Sequence, residues 1–111
     1  MLIIKTPLPL QEIQENHNHF YQTMVKIVVD LEERILALDA EMHADLEQNL
    51  LEQGSLQNNL WGANIYFDKP GFIEFNSLIN IRPGQGNMSM DVQDETLKTE
   101  MKALINELIL F

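Results

Sequence analysis

Two alternating stretches joined by a turn constrain this chain more than anything else in it. Over residues 61–67, Ala63, Ile65 and Phe67 alternate with Gly62, Asn64 and Tyr66. Over residues 72–82, Ile73, Phe75, Ile79 and Ile81 alternate with Glu74, Asn76, Asn80 and Arg82, and Ser77 is the polar member of the apolar set. Successive side chains on a strand point to opposite faces, so each stretch has one apolar and one polar side. Between them Asp68-Lys69-Pro70-Gly71 joins a residue that fixes φ to one that tolerates positive φ. A β-hairpin with one core face and one wet face is the expectation.

The remaining segments are read against that hairpin. Residues 25–31 and 34–38 are rich in Val, Ile and Leu and are parted by Glu32-Glu33, which predicts a second hairpin. One long helix over residues 20–40 is the rival, because Met24, Ile27, Leu31, Ile35 and Leu38 also fall at helical spacing. Both readings stay open. In residues 41–53 Met42, Leu46 and Leu50 repeat every four residues, and Gly54 stands where a helix takes a C′ glycine, so a helix is the local answer. Were that segment extended, Glu41, His43 and Asp45 would share a face.

Residues 2–5 read as a short edge strand stopped by Pro7 and Pro9, and Leu10, Ile13, Phe20, Tyr21 and Met24 predict a first helix. Near the other end Asp91 or Asp94 caps a helix with an apolar stripe of Leu97, Met101, Leu104, Ile105 and Leu108. The fold class expected is α+β: a mostly antiparallel β-sheet with an N-terminal and a C-terminal helix packed on one face. One globular domain over residues 1–111 is expected.

Composition removes whole classes of function. The chain has no cysteine, hence no thiolate nucleophile, zinc–thiolate site or disulfide. Seven Lys and Arg stand against 17 Asp and Glu, a formal charge of -10, and the cations are scattered. Binding to a phosphate backbone needs a basic stripe, so neither nucleic acid nor an anionic membrane is an expected partner. No apolar run is long enough to span a bilayer, and residues 1–5 followed by two prolines do not resemble a leader. The expectation is an acidic protein of the cytoplasm.

Chemistry is expected where the predicted second hairpin strand runs into Arg82-Pro83-Gly84-Gln85-Gly86-Asn87. Arg82 offers a planar five-donor fork, and the N–H groups of Gly84, Gly86 and Asn87 are candidates to turn toward the same anion. With Gln85, Asn80, Asn64 and Tyr66 they form the candidate ligand-binding set on the polar sheet face. A plain solvated turn is the bland alternative, with Arg82 pairing to an acid. If the ligand reading holds, Arg82→Ala leaves the melting temperature nearly unchanged and abolishes ligand binding.

A divalent metal is the one cofactor considered. Glu41, His43 and Asp45 at strand spacing make an acceptable set of oxygen and nitrogen ligands, although no His-Glu-x-x-His or other dense cluster supports them. Ser55, Ser77 and Ser89 lack a nucleophile-elbow context, and the glycine loop has neither the lysine of a P-loop nor the third glycine of a dinucleotide fingerprint. Trp61, Phe72 and the apolar Ile109-Leu110-Phe111 terminus add a homodimer to the candidate partners.

Three blocks carry a resemblance: Val29-Asp30-Leu31-Glu32-Glu33; Leu51-Glu52-Gln53-Gly54-Ser55 with Leu60-Trp61-Gly62-Ala63-Asn64-Ile65-Tyr66; and Asn80-Ile81-Arg82-Pro83-Gly84-Gln85-Gly86-Asn87. Together they resemble a small bacterial family of uncharacterised proteins, a domain of unknown function. The resemblance implies a bacterial origin and a compact domain, and it brings no activity, cofactor or partner. Members of that family carry glycines around the positions of Asp39 and Ala40. The function expected is a non-enzymatic binding or interaction module for a small anionic ligand or a protein partner. The alternative is a metal-dependent, hydrolase-like enzyme using Glu41, His43 and Asp45.

Overall fold

The computed structural model describes residues 1–111. Its centre is a hairpin of β3 (Met24–Asp30) and β4 (Ile35–Leu38), which resolves the competition with a long helix in favour of strands. The turn is built by Asp30, whose buried carboxylate accepts from the N–H groups of Glu32 and Glu33, each at 3.0 Å, and from Ser55 Oγ at 2.6 Å. Outside β4 lies β1 (Leu2–Ile4), the expected edge strand; outside β3 lies β5 (Leu60–Tyr66), followed by a two-residue β6 (Ile73–Glu74). The sheet order is β1-β4-β3-β5-β6 and every pairing is antiparallel. A separate parallel pair, β2 (Leu8–Pro9) with β7 (Ile109–Leu110), ties the two ends of the chain together.

Helices cover both faces of this sheet, not one. Helix α1 (Leu10–Asn16) and helix α3 (Glu95–Leu108) lie on the face that presents Val25, Ile27, Val29, Leu36, Leu38, Trp61, Ala63 and Ile65. Asp94 is the cap of α3, accepting from the N–H groups of Thr96 and Leu97 at 2.8 and 3.2 Å. Its stripe of Met101, Leu104, Ile105 and Leu108 is buried as the spacing predicts. Helix α1 is shorter than expected: only Leu10 and Ile13 are buried, the chain leaves the helix at His17, and Met24 belongs to β3. Asn16, His17 and Asn18 are weak helix formers with no apolar face to hold them.

The opposite face is closed by α2 (His43–Glu52), whose Leu46 and Leu50 pack on Val28, Ala37, Ala40 and Leu60. The helix ends in a Schellman motif: Gly54 has φ 101°, its N–H donates to Leu51 O, and Ser55 N–H donates to Leu50 O, both at 3.1 Å. The extended alternative for residues 41–53 is thereby corrected. Asp39 just before α2 also has positive φ, 71°, which fits a position where glycine is at ease. Its buried side chain accepts from the His19 N–H at 2.9 Å and lies 2.5 Å from His19 Nδ1. Burial alone would raise the Asp39 carboxyl, but the His19 contacts outweigh it and hold it below its ordinary value.

The long second strand of the sequence reading is not formed. After Glu74 the chain leaves the sheet, and Ser77 caps a short 3-10 turn at Leu78–Asn80 by accepting from Ile79 N–H at 3.3 Å. Two-residue parity is lost there. Asn80, expected on the wet face, is fully buried, and Ile81, expected in the core, is 44% exposed.

Candidate functional site

Before Asn64, β5 has no strand on its outer edge, yet peptide groups there are paired. Asn80 Oδ1 accepts from Gly62 N–H at 2.9 Å while Asn80 Nδ2 donates to Gly62 O at 3.0 Å, so one side-chain amide replaces a peptide of a neighbouring strand. Two residues back, Arg82 Nη2 donates to Leu60 O at 2.5 Å. The other four N–H donors of Arg82 go to Ile79 O, Gln57 O, Gln85 Oε1 and Glu47 Oε2. Its guanidinium also sits over the Trp61 ring at 4.6 Å.

The candidate anion site around Arg82 is therefore a structural clasp. All five guanidinium donors have acceptors in the chain, and the loop backbone is equally engaged: Gly86 N–H donates to Pro83 O, and Asn87 N–H to Arg82 O. Asn87 is buried, with Nδ2 within 3.0 Å of the carbonyls of Asn80, Ser89 and Asp91 and Oδ1 accepting from Gln93 N–H. Gln85 Nε2 donates to Asn58 O. Glycine 86, at φ 79°, serves a tight turn. Of the predicted ligand set, Arg82, Gln85, Asn80 and Asn87 bond to one another within this clasp, while Asn64 and Tyr66 meet apart from it, both donating to Glu74 Oε1, at 2.8 and 3.0 Å.

The metal set is not assembled either. Helical geometry turns residues two apart to different sides, so buried His43 faces the sheet while exposed Glu41 and Asp45 border a shallow groove beside Met1 and Phe20. No three His, Asp or Glu side chains of the chain converge as metal ligands.

What the fold does build is a cavity of about 220 Å3 between the start of α2, the sheet and the segment after β6. Lys26 of β3 and Asn64 of β5 come from the sheet, His43 and Ala44 from the first turn of α2, and Ser77 and Met90 from the far wall. His43 reaches the sheet because Gly62 has no side chain: a Cβ there would meet Ser77 Cβ at 2.6 Å and His43 Cδ2 at 3.1 Å. The ring nitrogen Nε2 lies 2.9 Å from Ala63 O, and since a carbonyl only accepts, Nε2 carries the proton. In the neutral ring Nδ1 is then an acceptor.

Asn64 lies beside that imidazole. Its Nδ2 donates to Glu74 Oε1 and to Asn76 O at 3.2 Å, and this pair of acceptors fixes the amide orientation. Its Oδ1 is consequently the one buried side-chain polar atom without a partner. Sequence reasoning placed Asn64 in a ligand site and His43 in a metal site but missed Lys26, which carries no motif and joins them only through the β3–β5 register, Lys26 opposite Asn64.

Burial holds the His43 ring below its ordinary value of 6.5; Ala63 O opposes this, Lys26 adds to it, and Asn64 and Glu74 oppose it more weakly. The unfolded chain thus takes up a proton at a pH where the folded ring stays neutral. This contribution to stability is fully present above pH 6.5 and is lost as pH falls from there through the folded value. Urea unfolding of wild type and His43→Gln at descending pH is expected to show a steeper loss in wild type below that point.

The chain belongs to the family described as "Protein of unknown function (DUF5674)", whose model matches residues 2–108. No curated protein and no solved structure matches it. No helix is long and apolar enough to cross a membrane.

Proposed function

We propose that this protein is a non-enzymatic binding module whose site is the cavity at the start of α2, and that its ligand is a small anion. The observation that carries this reading is the lining of that cavity, in which the cation Lys26 stands beside the buried polar side chains of His43, Asn64 and Ser77. The charge of the lining favours an anion: Lys26 is present and no carboxylate is, in a chain where acids outnumber bases 17 to 7. Lys26 has no salt bridge, its ammonium resting 5.5 Å over the Tyr21 ring. The first N–H groups of α2 add a positive dipole end, and Met42 at the N-cap supplies no side-chain acceptor for them.

Ser77 Oγ accepts from Ile79 N–H and makes no bond to His43, so no nucleophile is paired with a base there. The reading is tested by a thermal-shift screen of small carboxylates, sugar phosphates and nucleotides. Saturable stabilisation by one class is expected, weakened about tenfold or more in Lys26→Met, as the loss of a charged hydrogen bond implies. Stabilisation that Lys26→Met leaves intact contradicts it.

A second reading, self-association, is favoured by β1, whose outer edge has no neighbour in the sheet. Sedimentation across a concentration series tests it, with a dimer expected and a monomer at all concentrations contradicting it.

A further inference from the structure

We infer that the anion taken by this cavity carries an apolar tail: a short-chain monocarboxylate whose head meets Lys26 and whose hydrocarbon lies on Met42, Leu78 and Met90. The inference rests on the cavity being an anion site and concerns what the rest of the ligand is. These three side chains line the same cavity as Lys26, yet they are 53%, 65% and 37% exposed, so they stand where it opens to solvent. Single exposed apolar residues are ordinary, but three that converge from separate segments on one cavity form a contact surface. The backbone beneath them is fixed: Met90 O accepts from Ser77 N–H and from Asn80 Nδ2, both at 3.1 Å, which holds the Met90 segment against the Leu78 turn. The two methionines supply unbranched, adaptable side chains on that frame, suited to a tail of no fixed shape.

Charge sets the head group. Lys26 is the one cation of the lining, and burial keeps the His43 ring neutral. The neighbouring carboxylates, Glu74 and Asp91, accept from Asn64 and Tyr66 and from Asn76, and neither lines the cavity. One positive charge matches one negative charge, and the net charge of -10 repels a second. A phosphate monoester carries close to two charges at neutral pH, a carboxylate one. The same repulsion keeps a bare small anion weakly bound, so contact with the apolar rim supplies the remaining affinity.

The test is an NMR titration with acetate, butyrate and hexanoate, and with hexanamide, which keeps the tail and lacks the charge. A fully buried methylene is worth about fourfold in affinity, and a tail lying on a rim is covered on one side, so about twofold per methylene is expected. Hexanoate is then expected to shift the resonances of Ala44 and Asn64 with a Kd about tenfold or more below those of acetate and hexanamide. Leu78→Ser, a change at an exposed side chain, is expected to flatten the dependence on chain length. Equal binding of acetate and hexanoate, both weakened by Lys26→Met, overturns the tail inference and leaves the cavity standing as an anion site. A dependence on chain length that Leu78→Ser leaves intact also overturns the placement of the tail. Hexanamide binding as tightly as hexanoate, or no shift at Ala44 and Asn64 with any probe, overturns both.

Discussion

Arg82→Ala is expected to destabilise the protein by about 3–5 kcal/mol, the usual cost of removing one member of a buried ion pair, and to lower Tm by roughly 12–20 °C for a domain of this size. The Arg82 and Glu47 side chains are only 10% and 15% exposed and meet at 3.2 Å. Truncation leaves Glu47 without its cation and withdraws donors from Leu60 O, Ile79 O and Gln57 O together. Arg82→Lys separates charge from geometry. An ammonium keeps the attraction to Glu47 but cannot reproduce a planar fork that serves five acceptors, so a loss between wild type and alanine is expected from chemical denaturation. A loss below about 1 kcal/mol for Arg82→Ala returns this residue to the pool of ligand-binding candidates.

Gly62→Ala is expected to cost about 3 kcal/mol, the upper part of the range for overpacking. The added Cβ would lie 2.6 Å from Ser77 Cβ, and Ser77 cannot simply swing away because its N–H is bonded to Met90 O at 3.1 Å. Relief by moving Gly62 instead breaks the two bonds to Asn80. Ser77→Gly in the same chain removes the nearest atoms and is expected to recover part of the loss, which a double-mutant cycle in urea measures as a favourable coupling. Additive losses would show that the two residues do not touch. His43 is the next neighbour, so the same substitution is also expected to disturb the cavity wall.

Elements with a periodic signature were legible in the sequence. Residues of β3 and β4 are mostly β-branched or aliphatic, Lys26 and Asp30 apart, which favoured a hairpin without closing off a long helix; α3 has a continuous stripe behind an Asp cap, and α2 announces its end with Gly54. The placement of α2 was not legible, because a helix of modest amphipathic character does not say which side of a sheet it covers. That choice overturned the wet face: with α2 in place, Asn64, His43 and Lys26 became the walls of a cavity.

The loop after β6 misled for a different reason. Alternation in residues 72–82 is a sound strand signal, but Ser77 and Asn87 provide side-chain bonds to the backbone that compete with a ladder, and the 3-10 turn shifts the parity by which Asn80 enters the core. Arg82 and Asn80 reach β5 from about 20 positions away, and contacts at that separation leave no spacing to read.

Two-dimensional NMR of the protein with its His43 ring nitrogens observed, recorded without and with acetate at pH 7.5, tests the cavity assignment most directly. The expected result is a neutral ring protonated at Nε2 in the free protein, with Nδ1 and the amides of Ala44 and Asn64 shifting on titration while Gly84, Gln85 and Gly86 stay still. Shifts confined to the loop of Gly84–Gly86, or a free-protein ring protonated at Nδ1, would contradict it.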